Sequence, residues 1–222
     1  MAANREPAFP HFAPGVAVVV AAVTFCWVLP LFHLVPLNAP ATEAPATGAA
    51  AFDAPTAAAK IWQTDLPAAA QRAVELKALI GPLRENAETA KAKFARSAGL
   101  GTAYYFIRGG GRVIAREKNY LRVALAGPDS TVVAIRVGPV FGNTVRDGCG
   151  FLDVNAFPGL QEFNALSAEL NTLVEKTVLP VLREKANVGT TVQFAGCAEA
   201  PDSAADAGEP LLTIIPVKAE VR

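Results

Sequence analysis

The sequence predicts an α+β fold, a curled and mostly antiparallel sheet with helices packed on it, and three observations carry that expectation. Short apolar or alternating segments recur over 104–137 and again over 191–217, each bounded by glycine or proline. One long helical pattern, expected over 160–186, separates the two groups of strands. A helical block over 52–98 precedes both, so the order of elements is not a βαβ repeat.

Residues 1–14 are expected to be a cytoplasmic N-terminus, followed by a membrane segment over 15–37 that contains no Asp, Glu, Lys or Arg. About 20 such residues in a helix cross the hydrocarbon core of a bilayer. Arg5 is the only basic residue before the segment and Lys60 the first after it, which orients the N-terminus inward. The expectation is a single-pass inner-membrane protein with its C-terminal part in the periplasm. Cys26 is a lipidation candidate of poor fit, because Phe25 precedes it and Trp27-Val28-Leu29 follows. An uncleaved anchor is favoured over lipidation there, or cleavage near Ala39–Ala41. Residues 38–51, rich in Ala, Pro and Thr without periodicity, read as a linker.

In the block 52–98, Asp53 can cap a first helix, and Ile61, Trp62 and Leu66 share one of its faces. Pro67 suits the first turn of a second helix that carries Val74, Leu79 and Ile80 and breaks at Gly81-Pro82. A third helix is expected from Leu83 to Ser97. Over 99–222 the first strands are Tyr104–Ile107 and Val113–Ala115, joined as a hairpin through Gly109-Gly110-Gly111. Leu121, Val123 and Leu125 alternate with Arg122, Ala124 and Ala126, and Val132–Val137 returns. Gly138-Pro139 ends that strand, since proline has no amide hydrogen to give the ladder, and 138–150 reads as a loop. From Leu160, the residues Phe163, Leu166, Leu170, Leu173, Val174 and Val178 form one helix face, which Pro180 ends or kinks near Leu179. Two more strands follow, Thr191–Phe194 and Leu211–Val217.

The loop carries a recognisable pattern: Gly138-Pro139, Gly142, Arg146-Asp147, Phe151 and Phe157, then Leu170-Asn171. At these residues the chain resembles a family of predicted periplasmic lipoproteins of unknown function, often encoded beside sugar ABC transporters. Phe52-Asp53, Ile61-Trp62, Arg96, Tyr104–Phe106, Val192–Gly196 and Ile215-Pro216-Val217 extend the match over nearly all of 52–222. Where the family pattern has an Asn-Gln pair after the second Phe, this chain has Gly159-Leu160. The resemblance implies a small OB-like barrel beside a helical subdomain. It also implies partners, namely the membrane and an ABC sugar transporter or its binding protein.

Chemistry is sparse. Both histidines, His11 and His33, lie before residue 52, which removes the common zinc patterns and histidine-based triads from the folded part. No metal or cofactor is expected. With 20 basic and 20 acidic residues the chain has no net charge and no electrostatic reason to bind nucleic acid. Arg108, Arg112, Arg116, Lys118 and Arg122 make one region locally basic, read as a solvated strand face or a contact for an anionic lipid or ligand. The ligand-binding candidates are Arg146, Asp147 and Asn143 in the loop, with Tyr104 and Tyr105 as rings on which a ligand can stack. An internal salt bridge and core packing are the competing readings of those residues.

Two functions are therefore carried. One is a non-enzymatic periplasmic accessory or binding module; the other is a carbohydrate hydrolase or transferase using carboxylates such as Asp147 and Asp153. Cys149 and Cys197 are an even pair in an exported domain and hence a disulfide candidate, the alternative being two free thiols packed as small apolar groups.

Overall fold

Strand β3, Ala103–Arg116, runs unbroken through Gly109, Gly110 and Gly111, so the expected hairpin is absent and its two arms are one strand. The reason lies in its neighbours. β3 pairs antiparallel with β6 (Thr191–Glu199) over Tyr104–Arg112, and with β4 (Tyr120–Leu125) over Gly111–Arg116. A strand that serves both sides of a small closed barrel must coil, and its glycines sit where neighbouring chain crowds in. A Cβ on Gly111 would stand 2.3 Å from the Ala124 carbonyl oxygen, and one on Gly110 would stand 2.4 Å from the Gln193 side-chain amide.

The structure, a computed structural model, describes residues 52–97, 102–126, 131–202 and 210–222. The expected membrane segment, the linker and Cys26 lie outside the described residues. Among the described residues no helix is long and apolar enough to cross a membrane.

β5 (Val132–Arg136) pairs antiparallel with β4 and parallel with β7 (Thr213–Val221), and β7 pairs antiparallel with β6. The ring β3-β4-β5-β7-β6 closes back on β3, a five-stranded barrel with one parallel pair. That pair is possible because the long connection from β5 to β7 carries helices and β6 between them. Two-residue strands β1 (Val74–Glu75) and β2 (Arg96–Ser97) add to β3. Val74 is thus in a strand, not in the helix expected for it.

The helices are α1 (Ala54–Lys60), α2 (Leu66–Gln71), α3 (Leu76–Glu85), α4 (Ala87–Phe94), α5 (Thr144–Gly148), α6 (Leu160–Leu173) and α7 (Leu179–Lys185). Asp53 caps α1, accepting from the Thr56 amide. Gly81-Pro82 lies inside α3, and the break comes instead at Asn86, whose side chain accepts the Thr89 amide at 2.9 Å and starts α4. Pro67 and Pro180 are each preceded by a widened π turn, Ile61–Asp65 and Val174–Val178, closed by Leu66 N–H to Ile61 O and Leu179 N–H to Val174 O. The wide turn takes up the bond that proline cannot donate and eases its ring past the preceding carbonyls. Helical structure therefore continues through Pro180 to Lys185, so the helix does not end near Leu179, and the irregularity that proline brings there is the π turn before it.

Residues 51–222 form one compact unit with hydrophobic cores on both sides of β3, β6 and β7. Inside the barrel, Tyr105, Ile107, Leu121, Val123, Ile135 and Ile214 meet Leu76, Leu79 and Leu83 of α3 and Leu182 of α7. Outside it, Phe106, Ala195, Cys197 and Ile215 are covered by Ile61 and Leu66, by Val145 of α5, and by Leu166 and Leu170 of α6. Strands buried on both faces lose their alternation, which is why 194–198 reads as an unbroken run of Phe, Ala, Gly and Cys.

Candidate functional site

The motif loop is held by the helix that follows it. α6, the π turn Val174–Val178 and α7 present polar side chains to main-chain atoms of 137–142. Arg183 Nε donates to Val137 O at 2.6 Å, and Glu175 Oε1 accepts the Val140 amide at 2.7 Å. Ser167 Oγ and Asn171 Nδ2 both donate to Gly142 O, at 2.9 and 2.8 Å. Gly142 has φ +78°, a left-handed conformation that glycine adopts without strain. The Gly138-Pro139-x-x-Gly142 and Leu170-Asn171 parts of the motif are thus two halves of one contact.

Arg146 and Asp147 lie on α5, a five-residue helix within what reads from sequence as loop. Arg146 is only 5% exposed. Its Nε and Nη2 grip the two Asp147 carboxylate oxygens at 2.7 and 3.0 Å, and its Nη1 donates to Asn164 Oδ1 at 2.9 Å and to Phe163 O at 3.3 Å. The guanidinium also lies 3.8 Å from the Phe163 ring centroid. This is an internal tie between α5 and the start of α6, with the fork turned away from solvent. Tyr105 is fully buried in the barrel, and Tyr104 is buried beside the motif loop, so neither ring face is open for stacking. Burial pushes both phenols up, and the nearby Asp147 and Glu199 carboxylates push Tyr104 further. Asn143 is exposed and lines a separate pocket of about 420 Å³ with Asn164 and Glu175. The five candidates do not converge on one site.

A larger groove, about 760 Å³, opens between the α1–α2 arm and the outer faces of β3, β6 and β7. Its floor is apolar, from Leu66, Ala70, Ala195 and Val217, and Trp62 in the first π turn stands at its wall, partly buried. Planar polar side chains rim it: Gln71, Glu75, Arg108 and Gln193. Arg108 pairs with Glu75 at 2.9 Å across β3 and β1, both largely open to solvent. Lys218, Glu220 and Arg222 continue the rim along β7. A cleft of this size with an apolar floor, an indole and a few hydrogen-bonding groups suits a small ligand with ring faces and hydroxyls. Sequence reasoning missed this site. Its local signals were Arg108, within the basic run, and Trp62, Gln193–Ala195 and Val217, within stretches that extend the family match; of the same run, Arg116 Nη1 bonds Ala186 O at 3.2 Å and Arg122 pairs with Glu117 at 2.6 Å. Among the described residues no group of His, Cys, Asp or Glu is arranged to hold a metal.

A family profile described as predicted periplasmic lipoprotein (DUF2291) matches residues 16–220, and the chain belongs to that family. Membership makes it a membrane-associated periplasmic protein of a family without assigned function. Among solved structures the chain is similar to an OB-fold protein from Thermotoga maritima MSB8, with 23% identity and a TM-score of 0.67, over 78% of this chain and 100% of that one. That likeness supports the fold alone. Among curated proteins none matches.

Proposed function

We propose that the folded unit is a tethered periplasmic binding module that takes a small carbohydrate in the groove between the α1–α2 arm and β3, β6 and β7. The groove is the observation that carries this reading. Trp62 supplies an aromatic face for the apolar side of a sugar ring, and Gln71, Glu75, Arg108 and Gln193 supply donors and acceptors for its hydroxyls. In this reading residues 15–37 are a single-pass inner-membrane anchor and 38–51 a tether. The module serves a sugar ABC transporter or its binding protein, the setting suggested by the family resemblance. The rival hydrolase or transferase draws less support, because its carboxylates are engaged elsewhere. Asp147 holds Arg146, and Asp153 caps a short turn by accepting the Asn155 amide at 2.9 Å.

The chain has two tryptophans, so replacing Trp27 with Phe leaves Trp62 as the sole indole reporter. The full chain in detergent, titrated with a panel of mono- and disaccharides, is expected to show a saturable change in Trp62 emission for at least one sugar. Arg108→Ala or Gln193→Ala should weaken that binding by about tenfold. A panel that leaves the emission of folded protein unchanged, with no heat of binding by calorimetry, removes the proposal.

A further inference from the structure

We propose that Cys149 and Cys197 are joined by a disulfide in the exported protein, fastening the motif loop to strand β6. The two Sγ atoms lie 3.9 Å apart, both buried, one at the C-terminal end of α5 and the other on the outer face of β6. Forming the bond closes that gap to about 2.05 Å. The elements are already in contact: a Cβ on Gly148 would stand 2.6 Å from Cys197 Cβ, so glycine there lets α5 rest directly on the cysteine. They are the only cysteines in 52–222, and the periplasm is a compartment where such bonds persist.

The chemistry is a thiol–disulfide exchange. Each thiol gives up its proton, the pair gives up two electrons and forms one S–S bond, and the S–S bond of an envelope thiol oxidant is reduced to two thiols. Burial pushes the Cys197 thiol up, with its contact to Cys149 adding to the effect, so the thiolate is disfavoured once the unit has folded. Oxidation therefore belongs to folding, before α5 covers β6. Afterwards the same burial shields the bond from reductants.

The test uses the full chain isolated from its native envelope with free thiols trapped by alkylation in denaturant, then digested for mass spectrometry. The expected result is a peptide holding Cys149 linked to one holding Cys197, two hydrogens lighter than the reduced pair and absent from a Cys149→Ser variant. Alkylation of both cysteines, or linkage of either to Cys26 of another copy, overturns the proposal. Reductant is expected to lower the melting temperature by about 10 °C. A shift of under about 2 °C after verified reduction also overturns it, because a bond fastening the loop cannot be that inert.

Discussion

The motif loop and the groove use similar polar side chains to opposite ends. Around the loop, Arg146, Ser167, Asn171, Glu175 and Arg183 each find partners within the chain, all five on main-chain atoms of residues 137–163. Around the groove, Arg108 and Glu75 hold only a solvent-exposed pair, with side chains 44% and 55% open. Buried polar groups need internal partners, whereas exposed ones stay available to a ligand at little cost in stability. The residues that most mark this chain as a member of its family are thus engaged in architecture. The surface with spare hydrogen-bonding capacity shares only Trp62, Val217 and part of Val192–Gly196 with the family pattern, and its exposed Arg108–Glu75 pair lies outside it.

The widest separation between the two regions is expected from truncating their arginines. Arg146→Leu leaves the Asp147 carboxylate buried without its partner and should cost about 3–5 kcal/mol by denaturant unfolding, a loss that Asp147→Leu in the same chain partly restores. A cost below about 1 kcal/mol would break the comparison and return Asp147 to the list of ligand-binding groups. Next comes Gly142→Ala. No atom lies within 4 Å of the added Cβ, so the expected cost of about 1 kcal/mol is purely the left-handed backbone, and it is read from the midpoint of chemical denaturation. The smallest effect belongs to the groove: Arg108→Ala should change stability by less than about 0.5 kcal/mol while weakening the sugar response of Trp62. A large loss of stability there would make the groove rim architectural too.

Much of the framework was legible locally. Leu121, Val123 and Leu125 alternate in the sequence and are buried in β4, and Phe163, Leu166, Leu170 and Val174 keep helical spacing and are buried along one face. Asp53 and Pro67 sit where capping and first-turn rules put them. These features depend on residues within a turn or two of each other, so a short window contains their cause.

Other features have causes that lie far along the chain. Gly109-Gly110-Gly111 has the composition of a hairpin turn, yet the crowding that calls for glycine comes from Ala124 and Gln193. Arg146-Asp147 has the chemistry of a ligand fork, but Phe163 and Asn164 turn it inward. Trp62, Glu75, Arg108, Gln193 and Lys218 meet only because α1–α2 folds over β3, β6 and β7. The sequence by itself determined the class of fold, the long helix and most strand cores, because backbone propensity and periodicity act over a few residues. Tertiary structure decided barrel closure, which polar groups were consumed and where a groove remained, because each depends on contacts between segments tens of residues apart.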